Sequence, residues 1–219
     1  MNQSGLPRRD ELRVIAERAM VQRGLLPDFS PAVMAETNAL VSAAAESDPS
    51  IRDLRGLLWC SIDNDDTRDL DQLTAAEPRA GGLAKILVAI SDVDAMVKLG
   101  SAIDGHARRN TTSVYTAAGT FPMLPEKLST DLTSLGEGQA RLALVVELRI
   151  DADGTLAETD VYRAVVRNQA KLAYNSVAAW LDGTAPAPPR LAAVPGLQEQ
   201  VYRQDQAAQA RRGRRHQHG

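Results

Sequence analysis

The feature that most constrains this chain is a run of acidic residues between two apolar segments. Within Ser61–Leu73, five aspartates fall in nine positions, at 63, 65, 66, 69 and 71. Carboxylates this close repel one another, so a folded chain must either expose them all to water or neutralise some of them with a bound cation. In an extended segment, the alternation Asp69-Leu70-Asp71 places two carboxylates on one face and Leu70 on the other.

The donor chemistry of this run favours a hard cation. Asp63 follows an apolar segment and could close a third side of an all-oxygen site, which suits Mg²⁺ or Mn²⁺ and phosphoryl chemistry. A calcium loop of the EF-hand type is excluded, because its sixth position would be Arg68 instead of glycine and its twelfth Thr74 instead of glutamate. A fully solvated acidic loop remains the alternative at this point.

The acidic run resembles the metal-binding signature of the RNB exoribonucleases (the ribonuclease II and ribonuclease R family), which reads I-D, a short spacer, then D-x-D-D. Further blocks resemble that family in order and spacing, and the likeness covers residues 56–215. These blocks are Ile86–Val93, Gly100–Asp104, Thr112–Tyr115, Phe121–Ser129, Leu132–Leu135 and Lys171–Tyr174.

The resemblance implies a 3′–5′ exoribonuclease that hydrolyses single-stranded RNA to nucleoside 5′-monophosphates with Mg²⁺, or with Mn²⁺ in its place. It assigns Asp63, Asp69 and Asp71 as catalytic residues and metal ligands. Gln72 stands where the fourth signature aspartate belongs; its amide oxygen could still bind the metal, but one negative charge is lost. The alternatives are a catalytically impaired RNA-binding relative and an acidic metal-binding scaffold that holds no RNA.

Three residues are candidates for RNA binding. Tyr115 matches the family tyrosine that stacks on a base near the 3′ end, which fits the sequence tolerance of stacking. Arg108 and Arg109 stand near the end of a helix predicted over 102–109. The alternative for Tyr115 is a half-buried strand residue.

The chain is predicted to be α+β, with an N-terminal helical segment (1–50) followed by a mixed, mainly antiparallel sheet with flanking helices (51–219). The second part is interpreted as the N-terminal portion of an RNB catalytic domain, and hence as a fragment. Local signals include a helical stripe at Leu12, Ile15, Ala16 and Ala19. Others are a helix start at Ser30-Pro31, a functional loop over 120–135, and a hairpin turn at 151–154.

Composition and charge bear on the cellular location and on the binding partner. A formal net charge of −3 is unusual for a free-standing nucleic-acid binder, but catalytic carboxylates offset by a metal would account for part of it. The single cysteine, Cys60, cannot form an internal disulfide, which fits a cytoplasmic location. The expected partner is single-stranded RNA, without DNA or membrane, and the full-length protein is expected to be a monomer.

Overall fold

The computed structural model describes residues 9–45, 48–80 and 82–217. The helices in these residues are α1 (Arg9–Gln22), α2 (Pro31–Ala39), α3 (Ala102–Asn110), α4 (Tyr174–Leu181), α5 (Pro189–Ala193) and α6 (Leu197–Gln217). The strands are β1 (Arg52–Asp53), β2 (Cys60–Asp63), β3 (Gln72–Glu77), β4 (Ala84–Ser91), β5 (Val114–Thr116), β6 (Gly119–Phe121), β7 (Ala140–Ile150), β8 (Leu156–Arg167) and β9 (Ala170–Ala173).

Seven of these strands form one open sheet in the order β1-β8-β7-β4-β3-β2-β9. The four central pairings are antiparallel, whereas β1 pairs with β8 and β2 with β9 in parallel. The predicted fold class, α+β with a mixed and mainly antiparallel sheet, is therefore confirmed. The parallel β2–β9 pair aligns Asp63 with Ala173, so it joins two segments far apart in the sequence.

The sheet carries the main hydrophobic core. Trp59, Leu73, Leu87, Val145 and Val166 are buried together, and the indole Nε1 of Trp59 donates to the carbonyl oxygen of a residue five positions earlier at 2.8 Å. A second cluster packs helices α4, α5 and α6 against β2 and β9. It comprises Cys60, Ala170, Leu172, Val177, Leu191, Leu197 and Val201. The second cluster holds β2, the strand that leads into the acidic run, through Cys60, and the first holds Trp59 immediately before that strand.

The chain packs into two compact units. One combines residues 9–42 with 94–129, and the other combines the described residues of 43–93 with 130–217. In the first unit, Asn110 holds Leu26 through two hydrogen bonds of 2.8 Å, and Glu36 accepts from the two backbone amides that open α3. The predicted domain boundary at residue 50 divides the chain by sequence, whereas these two units are defined by packing. The boundary at residue 50 therefore stays a prediction.

Local predictions had mixed outcomes. Helix α2 begins at Pro31, and the hydroxyl of Ser30 accepts from the amide of Val33, as predicted. The stripe predicted on α1 was wrong in part, because Ile15 is 57 % exposed and Met20 is the buried residue.

The loop predicted over 120–135 is also incorrect in part. It contains the end of β6 and a π-helical turn at Lys127–Leu132, where the carbonyl of Pro125 accepts from two later amides. Among the residues described, no helix is long and apolar enough to cross a membrane.

Candidate functional site

The acidic run forms the connection between β2 and β3, which we call the acidic loop (residues 64–71). It begins with a tight turn in which Asp63 Oδ1 accepts from the amide of Asn64 at 2.7 Å and the hydroxyl of Thr67 at 3.1 Å. The amide of Thr67 then donates to the carbonyl of Asn64 at 3.2 Å. These local bonds are typical of aspartate and threonine in turns, and they fix the exit from β2.

Leu70 anchors the far end of the acidic loop in the core. Its side chain is only 5 % exposed, whereas Asp69 and Asp71 on either side are exposed. The predicted alternation is therefore confirmed.

The backbone of the acidic loop is bonded to the segment 133–135. The hydroxyl of Ser134 accepts from the amide of Leu70 at 3.2 Å and donates to the carbonyl of Arg68 at 3.1 Å. The amide of Leu135 donates to the carbonyl of Leu70 at 2.7 Å. A single serine thus satisfies two backbone groups of the loop. The block Leu132–Leu135 therefore serves to fix the backbone of the acidic loop.

The opposite side of the acidic loop is bonded to β9. The ammonium group of Lys171 donates to the carbonyl of Asp65 at 3.1 Å and to the carbonyl of Thr67 at 2.6 Å. Ser134 and Lys171 both lie within blocks that resemble the RNB family, but neither was predicted to have a role. Their presence in those blocks was the signal that could have identified them as residues that hold the acidic loop.

The three predicted catalytic aspartates interact electrostatically. Partial loss of hydration raises the pKa of Asp71 above its ordinary value, and the negative charges of Asp69 and Asp63 add to the rise. Asp63 ends β2 and is half-buried, and Gln72 begins β3 with its side chain exposed. The structure therefore brings Asp63, Asp69 and Asp71 into one region, with Gln72 next to Asp71 in the chain.

The donor set suits a magnesium-type ion in chemistry and in charge, because it offers hard oxygens that repel one another. In the part of the chain that the structure describes, however, no three carboxylate, imidazole or thiol groups lie close enough to share an ion. Binding by this set therefore requires the side chains of the loop to converge around the ion, while the backbone is already fixed by Ser134 and Lys171.

The predicted RNA-binding residues belong to the other compact unit. Tyr115 lies on β5 and is 70 % exposed, so it is not the half-buried strand residue of the alternative. Arg108 is exposed at the end of α3. Arg109 is exposed as well, but its guanidinium donates to the carbonyl of Gly24, two residues after α1 ends. The geometry thus gives Arg109 a structural contact in addition to its predicted role.

Two further acidic and basic groups have structural contacts. Asp92 is buried and its carboxylate lies 3.0 Å from the guanidinium of Arg163. The basic end of α6 packs back onto the β7–β8 turn, where Arg211 donates to the carbonyl of Gly154 at 3.3 Å and Arg214 pairs with Asp153. These contacts give Arg211 and Arg214 a structural role at the end of α6.

Comparisons with known proteins place these features in context. The profile of the family described as "RNB domain" matches residues 51–219. Ribonuclease R of Thermotoga maritima is 36% identical over 156 residues, which cover 71% of this chain and 22% of that protein. Ribonuclease R of Escherichia coli is 39% identical over 131 residues, covering 60% and 16%. The chain thus spans about a fifth of the length of the curated relatives it matches.

Solved structures agree with this match. RNase R of Mycoplasma genitalium, in complex with ribose-methylated single-stranded RNA, superposes with a TM-score of 0.83 at 24% sequence identity. The match covers 96% of this chain and 32% of that one. Yeast Ssd1, described as a pseudonuclease, gives a TM-score of 0.56 at 16% identity, covering 68% and 18%. At these identities the likeness concerns the fold.

Proposed function

Because this chain belongs to the RNB family, we propose that its acidic loop is part of the active site of a divalent-metal-dependent 3′–5′ exoribonuclease. The proposed reaction is hydrolysis of single-stranded RNA to nucleoside 5′-monophosphates. The observation that carries the proposal is the arrangement of the loop: Asp69 and Asp71 are exposed on either side of the buried Leu70, and the pKa of Asp71 is raised partly by its acidic neighbours.

Each residue of the set has a distinct part in the proposed reaction. Asp63, Asp69 and Asp71 would hold Mg²⁺ or Mn²⁺, with the amide oxygen of Gln72 as a weaker fourth donor. When bound, such an ion lowers the pKa of water and stabilises charge on the scissile phosphate. Because Ser134 and Lys171 fix the backbone of the acidic loop, its carboxylates would be held in place to orient the attacking water and the leaving oxygen.

The RNA-binding side of the proposal rests on Tyr115. Its exposed ring offers a stacking surface, and stacking on an aromatic ring contributes roughly 1–3 kcal/mol per base without selecting a sequence. Arg108 is proposed to contact phosphate, as is Arg109 with the donors that remain after its bond to Gly24. Cytoplasmic location and a monomeric state remain predictions.

The test is a denaturing-gel time course on 5′-labelled single-stranded RNA, with Mg²⁺ or with EDTA. We expect products that shorten from the 3′ end only with Mg²⁺, and a rate about 100-fold or more lower in Asp71→Asn. Asp153→Asn is the matched control, because it makes the same change in the acidic turn between β7 and β8 and should keep the rate. Equal rates for Asp71→Asn and the unaltered chain would refute the proposal.

A second candidate is an RNA-binding relative without hydrolysis, which is favoured by the neutral Gln72. In the same experiment this candidate predicts intact RNA in every lane. It also predicts a shift of the labelled RNA in a native gel that EDTA leaves unchanged, and that Tyr115→Ala weakens.

A further inference from the structure

We propose that Lys171 is a positioning residue for the acidic loop: its ammonium group holds the loop backbone in the conformation that presents Asp63, Asp69 and Asp71 to a metal. This inference rests on the proposed function for its metal-binding consequence. Its structural part, the restraint of the acidic loop, is independent of that function.

Lys171 binds the backbone of the acidic loop at two points. An ammonium group has three donors, and two of them go to the carbonyls of Asp65 and Thr67 at 3.1 and 2.6 Å. These carbonyls flank Asp66, so one side chain restrains three consecutive residues of the loop. The bonds are made to backbone oxygens, which leaves the carboxylates available for other ligands.

Lys171 itself is held in place by the sheet edge. Its amide donates to Glu137 Oε2 at 2.8 Å, and Glu137 also pairs with the guanidinium of Arg190. In the β2–β9 ladder, Lys171 lies opposite Ser61, two residues before the predicted ligand Asp63. Lys171 therefore connects β9, the strand that pairs with β2, to the acidic loop that follows β2.

The position of Lys171 has two opposing electrostatic consequences. A permanent positive charge near the loop disfavours a second cation, whereas restraint of the backbone lowers the entropy that the loop must lose when it binds one. We infer that restraint dominates, because hydrogen bonds to a charged donor are strong and a second anchor at Ser134 fixes the other end of the same loop.

The experiment compares Lys171→Met with Lys85→Met in the full chain. Lys85 lies on β4 and pairs with Glu77 at 2.5 Å, so the control removes the same charge from the same sheet without touching the loop. Lys171→Gln is measured in parallel as a second variant, in case the methionine variant does not fold. The readouts are amide hydrogen exchange of residues 64–70 in EDTA and the Kd for Mn²⁺ alone.

For Lys171→Met we expect loop exchange and the Mn²⁺ Kd each to rise by about tenfold, with a melting temperature close to that of Lys85→Met. Equal loop exchange in the two lysine variants would overturn the inference. So would an unchanged Kd, or a Kd that falls because repulsion has been relieved. If the unaltered chain takes up no Mn²⁺, the proposed metal site fails, and loop exchange alone decides whether Lys171 restrains the loop.

Discussion

Two acidic connections join antiparallel strands in this protein, and they use their carboxylates in opposite ways. In the β7–β8 turn, Asp151 pairs with Arg79, while Asp153 accepts from the amide and hydroxyl of Thr155 and pairs with Arg214. These bonds lower the pKa of Asp153 below its ordinary value, with the hydrogen bonds from Thr155 contributing most. In the acidic loop, by contrast, the pKa of Asp71 is raised.

The difference separates a structural acidic turn from a candidate ligand site. A carboxylate whose charge is matched by donors and cations stabilises the fold in its ionised form. In the acidic loop, Asp69 and Asp71 are exposed, and the hydrogen bonds from Ser134 and Lys171 go to the loop backbone and not to these carboxylates. Asp69 and Asp71 therefore stay available to an external cation, a difference from the turn that composition alone could not show.

The largest expected effect concerns the turn. Gly154 has φ +81°, and a Cβ there would lie 2.5 Å from the carbonyl oxygen of Ala210 in α6. Gly154→Ala should therefore lower the free energy of unfolding by roughly 3 kcal/mol, from left-handed strain plus the clash. Gly138→Ala, with φ +77° and open space around the new methyl group, should cost roughly 1 kcal/mol. Urea unfolding measures both, and equal losses would show that the contact with α6 is unimportant.

A smaller effect is expected when the charge of the acidic loop is increased. Gln72→Asp adds a fourth carboxylate and should tighten Mg²⁺ binding by about tenfold, while lowering the melting temperature in EDTA through added repulsion. Isothermal titration with Mg²⁺ and thermal melts with EDTA are the measurements. Gln198→Asp, which makes the same change at an exposed position of α6, is the control for charge alone. A titration unaltered by Gln72→Asp would remove position 72 from the ligand set.

The smallest effect is a pH dependence that belongs to the turn. Because the folded-state pKa of Asp153 lies below its unfolded value, its stabilising contribution is present above the ordinary aspartate pKa of 3.8 and is lost as the pH falls through the folded-state pKa. Asp153→Asn should therefore melt slightly earlier than the unaltered chain at pH 7, and the gap should close toward pH 3. A gap of constant size across this range would assign the effect to lost hydrogen bonds instead of charge.

Sequence reasoning succeeded where short-range rules decide the structure. The cap at Ser30, the turn at 151–154 and the alternation around Leu70 depend on neighbours within a few residues. The pattern Asp69-Leu70-Asp71 was enough to orient the loop, because one large apolar side chain has to be buried beside two charged ones.

What sequence reasoning missed depends on distant segments. No short-range sequence pattern predicts that β9 pairs in parallel with β2, or that Lys171 then donates to carbonyls more than a hundred positions earlier. The buried side of α1 likewise depends on its partners, which is why Met20 and not Ile15 is buried. The candidate ligands were identifiable from the chain, whereas the residues that hold them became visible only in three dimensions.

The parallel pairing of β2 with β9 has a consequence for the order of events during synthesis. Asp63, Asp69 and Asp71 leave the ribosome early, but Ser134 emerges some 70 residues later, roughly 4–14 seconds at ordinary rates of elongation. Lys171 follows only after β7 and β8 have been made. The acidic loop therefore has neither anchor until Ser134 emerges, and only one until Lys171 emerges. A nascent chain thus acquires its candidate ligands long before the residues that hold them in place have been made.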